Sequence, residues 1–171
     1  RNNGVRQSRC DLIAFIDADD EWTPVHLENI LKASNRFPRC GIYATDYSVV
    51  MPDGSLRHPR FHELQPEDGF CLIRNYFKTS KTSSVLSCSS IALTREVCLR
   101  IGGFPVTETV KEDHCLYAKI ALDHQIGFAI ESTAVYRMDA ENRTGSRIDR
   151  LGCSLKDCDL VLLGIINGAL S

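Results

Sequence analysis

An α/β layer architecture is predicted by three features of this sequence. Short apolar runs that end on polar or charged residues alternate with segments of helical spacing. The first run, Asp11-Leu-Ile-Ala-Phe-Ile-Asp17, is followed closely by a helix-start signal, Thr23-Pro24. No repeat, low-complexity tract or interdomain linker breaks the alternation over 171 residues, a length that fits about one domain.

Each element has its own local reason. A short apolar run bounded by breakers suits a strand buried on both faces, as in a parallel sheet, which places the first strand over 11–17. Thr23 as N-cap and Pro24 at the first helical position open a helix over about 24–36. Leu27, Ile30, Leu31 and Phe37 supply its apolar face, and Pro38 ends it. Residues 41–50 read as a strand, Pro52-Asp53-Gly54 as a turn and 55–61 as the returning arm of a hairpin. Residues 68–77 read as a helix, 79–84 as a polar loop and 88–94 as a strand, followed by a short helix and a Gly102-Gly103-Phe104 break. A helix over 112–124 turns Cys115, Leu116, Ile120 and Leu122 inward. Two short strands at 126–130 and 133–138 and a terminal helix at 155–170 complete the pattern.

Composition narrows the function classes. Twenty Lys and Arg against 22 Asp and Glu give a net charge of −2, so no cationic excess exists to neutralise nucleic-acid phosphates. The longest apolar run, 160–166, is too short to span a bilayer, and no signal-peptide pattern opens the chain. The opening Arg1-Asn2-Asn3-Gly4 lacks Met and runs straight into patterned sequence, as a fragment does. The 8 cysteines are widely spaced without a C-x-x-C pair, which reads as reduced, mostly buried thiols in a cytoplasmic protein.

Asp17-Ala-Asp19-Asp20 is the most informative stretch. In an open α/β sheet, ligands bind beyond the carboxyl ends of strands. Three carboxylates there repel one another unless a cation neutralises them. Mg²⁺ or Mn²⁺ held by one or two carboxylates plus substrate phosphates is the natural candidate, with Asp17, Asp19 and Asp20 as ligands. The alternative is a solvated acidic turn whose Asp20 favours the next helix N-terminus. Glu112-Asp113 also has two readings. Thr109 with Glu112 fits a capping box, and a first-turn carboxylate facing a cleft can accept a proton from a hydroxyl.

Taken together, these stretches resemble the family 2 glycosyltransferases of GT-A fold. The match runs from Arg1-Asn2-Asn3-Gly4 through Asp11–Asp17, Asp19-Asp20 and Trp22-Thr-Pro24. It continues with Ser90–Glu96 and Gly102-Gly103-Phe104, then Lys111-Glu112-Asp113-His114, in the family's order over residues 1 to about 140. The resemblance implies a Rossmann-like mixed sheet flanked by helices, without the family's first strand and helix. Residues 1–50 would end the nucleotide and metal half, 51–140 form the acceptor half, and 141–171 be a C-terminal helical segment. It implies metal-dependent, inverting transfer of a sugar from a nucleotide diphosphate sugar, foremost a UDP-sugar, to a glycan or lipid-linked hydroxyl. Arg1, Asn2, Asp17 and Asp19 would bind the donor, Asp19 with Asp17 and Asp20 would hold Mn²⁺ or Mg²⁺, and Asp113 beside Glu112 would be the base. A lipid-linked acceptor would bring the protein to the inner membrane face.

Two rivals stand beside this reading. A haloacid-dehalogenase-type phosphatase also puts D-x-D after an apolar strand and would use Asp17 as nucleophile. Glu21 stands where that class usually has Thr or Val. A non-catalytic module of the same fold would dock partners only. Of the remaining candidates, Arg137, Arg143 and Arg147 fall where some family members contact diphosphate. His58 and His62 read as solvent-exposed, Trp22 as packing its helix start, and Ser89 and Ser90 as strand residues able to fill a tight position or meet an acceptor.

Overall fold

The alternation of strands and helices is realised as one seven-stranded mixed sheet with helices on both faces. The structure, a computed structural model, describes residues 1–106 and 112–140. Helix α1 (Asn2–Gln7) leads into β1 (Leu12–Ala14) and β2 (Glu21–Trp22), then α2 (His26–Arg36), β3 (Ile42–Val50), β4 (Leu56–Arg57) and β5 (Phe70–Ile73). A short α3 (Tyr76–Thr79) and a 3-10 turn (Cys88–Ser90) precede β6 (Ile91–Thr94), α4 (Arg95–Arg100), α5 (Glu112–Asp123) and β7 (Ile126–Arg137). The sheet order is β1-β6-β3-β7-β2, with β4 on β3 and β5 on β7.

Among the described residues only β3 and β7 pair in parallel; the other pairings are antiparallel. This corrects the expectation for the first strand. β1 is three residues long, half-buried, and lies antiparallel to β6. Three further expectations change. Residues 70–73 form a strand rather than a helix, because Phe70–Ile73 fill the outer flank of β7 with alternate residues Cys71 and Ile73 inward. The hairpin arm shrinks to Leu56–Arg57. The two strands expected at 126–130 and 133–138 are one, with register irregularities opposite Thr45 to Tyr47. That irregularity lets the first half of β7 pair with β5 and the second half with β2.

Side chains alternate across β3 as a period of two requires. Ile42 and Ala44 join Leu116, Tyr117 and Ile120 of α5 in the larger cluster, and Tyr43 joins Ile30 and Ala33 of α2 in the smaller one. In α2 the buried positions are His26, Asn29, Ile30 and Ala33. Leu27 and Leu31, expected inward, are exposed, as is Leu122 of α5. Gly41 is required where β3 meets α5, since a Cβ there would lie 2.7 Å from the Ile120 methyl. None of the six described cysteines forms a disulfide; five are buried and Cys10 is exposed. The expected terminal helix, Thr109, Arg143, Arg147, Cys153 and Cys158 lie outside the described residues.

Candidate active site

The acidic turn hangs between β1 and β2 and is held from behind by one hydroxyl. Ser89 lies in the 3-10 turn before β6 and is 1% exposed. Its Oγ accepts from the Asp17 backbone N–H at 3.0 Å and donates to Asp20 Oδ2 at 2.5 Å. Its carbonyl accepts from Trp22 Nε1 at 2.5 Å, and the Trp22 ring stacks on His26 at 4.4 Å. The Arg137 backbone N–H at the end of β7 donates to the other Asp20 oxygen at 2.9 Å. Burial pushes the Asp20 pKa up, and these two hydrogen bonds work against it.

The three aspartates therefore differ. Asp20 is buried and turned to the fold, where both its oxygens are occupied. Asp17 is half-buried and takes Arg1 Nη2 on its two oxygens at 2.7 and 2.9 Å. Asp19 is exposed and has no hydrogen bond or ion pair among the described residues. Asp17 and Asp19 still repel the Asp20 carboxylate and add to the rise of its pKa.

Arg1 links this turn to α5. Its Nη1 donates to Glu112 Oε1, and its guanidinium lies over the Phe104 ring at 5.5 Å. Burial lowers the Arg1 pKa, but the Asp17 hydrogen bond and the negative groups around it outweigh that and raise it. Glu112 thus spends its carboxylate on Arg1, 111 positions away in sequence. Asp113, next along α5, accepts from the His114 N–H at 2.8 Å, with the Tyr117 hydroxyl 3.5 Å from its other oxygen. Tyr117 is fully buried and its pKa is raised, by burial first and by Asp113 next. The nearby Cys88 thiol is pushed up to about 12, chiefly by burial, which keeps it protonated.

Asn2, the other expected donor contact at the start of the chain, has a structural task. Its amide donates to the Phe104 carbonyl at 2.7 Å and accepts from the Phe104 N–H at 2.8 Å. Arg137 has its guanidinium on Glu21 at 2.9 Å and on both oxygens of Asp139 at 2.8 and 3.0 Å. His58 and His62 are exposed, and His62 Nε2 lies 2.5 Å from Thr82 Oγ1. The hub role of Ser89 and the ring support from Phe104 escape the sequence, because their partners lie 72 and 103 positions away or stand in backbone groups.

Among the described residues, no three Asp, Glu, His or Cys side chains converge as a metal cage. The groups present fit a different arrangement. Asp19 offers one open carboxylate, and Mg²⁺ is commonly held by one or two carboxylates with substrate phosphates completing its shell. Asp17 and Glu112 share the guanidinium of Arg1, while Asp19 beside them stays exposed without a cationic partner among the described residues.

Residues 1–102 match the family described as glycosyl transferase family 2, and the chain belongs to that family. No curated protein matches it. Among solved structures, S. aureus TarS 1-349 in complex with UDP-GlcNAc superposes with a TM-score of 0.62 at 14% identity, covering 85% of this chain and 40% of that one. The same protein in complex with UDP gives 0.60 at 16% identity, covering 80% and 38%. This chain therefore spans about two fifths of the length of those structures. The likeness establishes the fold, a mixed sheet flanked by helices of GT-A type. Family membership decides against the phosphatase alternative, and the ion pair to Arg1 also occupies the carboxylate that would have to be the nucleophile. No helix among the described residues is long and apolar enough to cross a membrane.

Proposed function

We propose that this chain carries the donor turn and base of an inverting glycosyltransferase that uses a nucleotide diphosphate sugar, a UDP-sugar foremost, and a hydroxyl acceptor on a glycan or lipid-linked glycan. The observation that carries the reading is the span of one guanidinium. Arg1 touches Asp17 of the acidic turn and Glu112 of the acidic pair, which supports reading the two motifs as parts of one site.

The chemistry divides between those two sides. Asp17 and Asp19 stand on the donor side, and Asp19 is the protein ligand for Mg²⁺ or Mn²⁺, with Asp20 acting from behind through the shape of the turn. When bound, the cation supplies Lewis-acid neutralisation of charge on the departing diphosphate. Asp113 is the general base. Its carboxylate takes the acceptor hydroxyl proton as that oxygen bonds to the anomeric carbon, and the carbon–phosphate oxygen bond breaks with its electron pair leaving on the diphosphate. Attack opposite the leaving group inverts the carbon. Tyr117 and the His114 N–H fix the Asp113 carboxylate, which favours one proton-accepting orientation.

A donor screen on the full-length protein tests this, with UDP-, GDP- and CDP-sugars, each with Mn²⁺, Mg²⁺ or chelator. Metal-dependent consumption of one donor, abolished by Asp113→Asn, is the expected result. Metal-dependent nucleotide binding without turnover would leave the non-catalytic module in its place. Failure to bind any nucleotide would remove both.

A further inference from the structure

We propose that Arg1 is a positioning residue for the acidic pair rather than a ligand of the nucleotide, a reading that rests on the proposed transferase site. Three observations lead there. The guanidinium already spends Nη2 on both oxygens of Asp17 and Nη1 on Glu112. Its flat face is covered by the Phe104 ring at 5.5 Å. Its immediate neighbour Asn2 clamps the Phe104 backbone through two hydrogen bonds, so the cation and the ring that backs it are fixed by one dipeptide.

The clamp has a further guard. A Cβ on Gly103 would lie 2.5 Å from Asn2 Oδ1, and φ at Gly103 is +73°, so the chain passes the Asn2 amide only as glycine. The first residue of α5 is Glu112. Glu112 and Asp113 are adjacent in the first turn and project in different directions from the helix axis. Pinning Glu112 to Arg1 therefore sets the rotation of that turn and the heading of the Asp113 carboxylate. The planar fork of arginine suits this task, because it meets two carboxylates at fixed angles where a lysine ammonium is a single point charge.

The test uses Arg1→Ala, Arg1→Lys, Glu112→Gln and the double variant Arg1→Ala/Glu112→Gln in the full-length protein. Arg1→Ala should lower kcat about 30-fold, with the donor KM changed less than about threefold. Arg1→Lys should recover only part of the loss. The double variant should be no slower than the worse single variant, as for two groups acting as one unit. Deuterium uptake in the peptide covering the first turn of α5 should rise in Arg1→Ala and stay normal in α2. A raised donor KM at unchanged kcat would return Arg1 to the nucleotide and overturn the proposal. So would multiplicative losses in the double variant, or unchanged uptake at α5. The uptake measurement needs no turnover. A protein that transfers no sugar would thus sink the proposed function while the role of Arg1 is still decided by exchange.

Discussion

Acid should loosen the wall behind the acidic turn through one buried histidine. His26 is 1% exposed, with Nδ1 2.8 Å from Thr133 Oγ1 and a second hydroxyl, of Thr45, at 3.4 Å. Its Nε2 is buried with no hydrogen-bond partner, so a proton there has nothing to meet. Burial lowers its pKa from 6.5 to about 4. The unfolded chain takes up that proton near pH 6.5 and the folded chain only near 4. The unfolded state therefore holds more protons across this window, and stability falls as pH drops through it. At about 1.4 kcal/mol per pH unit, the loss is about 3 kcal/mol, or a fall in Tm on the order of 6–12 °C for a chain of this size. Urea unfolding of the wild type and of His26→Gln at pH 7, 5.5 and 4 isolates the effect, since other acids cancel in the difference. The wild-type advantage should shrink by about 3 kcal/mol from pH 7 to 4. A difference that stays constant with pH would refute the argument. Because the ring stacks on Trp22, whose indole holds the Ser89 carbonyl, acid should also quench or shift Trp22 fluorescence before global unfolding.

Three further outcomes are expected. Ser89→Ala removes the hydroxyl that joins Asp17 N–H to the buried Asp20 carboxylate, and should cost about 2 kcal/mol in urea unfolding, the scale of a charge-assisted hydrogen bond; a loss under about 0.5 kcal/mol would remove Ser89 from its place as the hub. Asp19→Ala should weaken Mn²⁺-dependent nucleotide binding by tenfold or more in isothermal titration, while its exposure leaves Tm within about 2 °C of wild type; undiminished binding would move the metal elsewhere. Asp113→Asn should cut transfer at least 10²-fold and leave the nucleotide Kd within about threefold, and full turnover would mean another base.

How much was legible in the sequence differs by element. The helix over 26–36 was readable from its stop at Pro38 and its 3.6 spacing, but which leucines face inward was not. Leu27 and Leu31 lost the inner face to His26, Asn29 and Ala33, because the helix rotates to seat His26 between Trp22 and β7. Residues 70–73 carry helix-compatible residues and became a strand because β7 offers them a free edge. The acidic motifs were found as motifs, Asp17 to Asp20 and Glu112-Asp113. Their division of labour was hidden: three aspartates within four positions look alike in sequence, and burial with hydrogen bonds from Ser89 and the Arg137 N–H separates Asp20 from Asp19. The capping reading of Glu112 rests on Thr109, outside the described residues, and the pairing of its carboxylate with Arg1, 111 positions away, was not legible in the sequence.

By itself, the order of apolar runs and acids determined an α/β sheet, the place of the acidic turn behind its first strand, and the family resemblance that the match over residues 1–102 bears out. These are local or ordered properties of the chain, and local pattern encodes them. Tertiary structure alone decided the rest: the antiparallel pairing of β1, the single bent β7 that delivers the Arg137 N–H to Asp20, and the guanidinium joining Asp17 to Glu112. Those contacts join residues 16 to 117 positions apart, and their geometry exists only once the sheet has brought their strands and helices together.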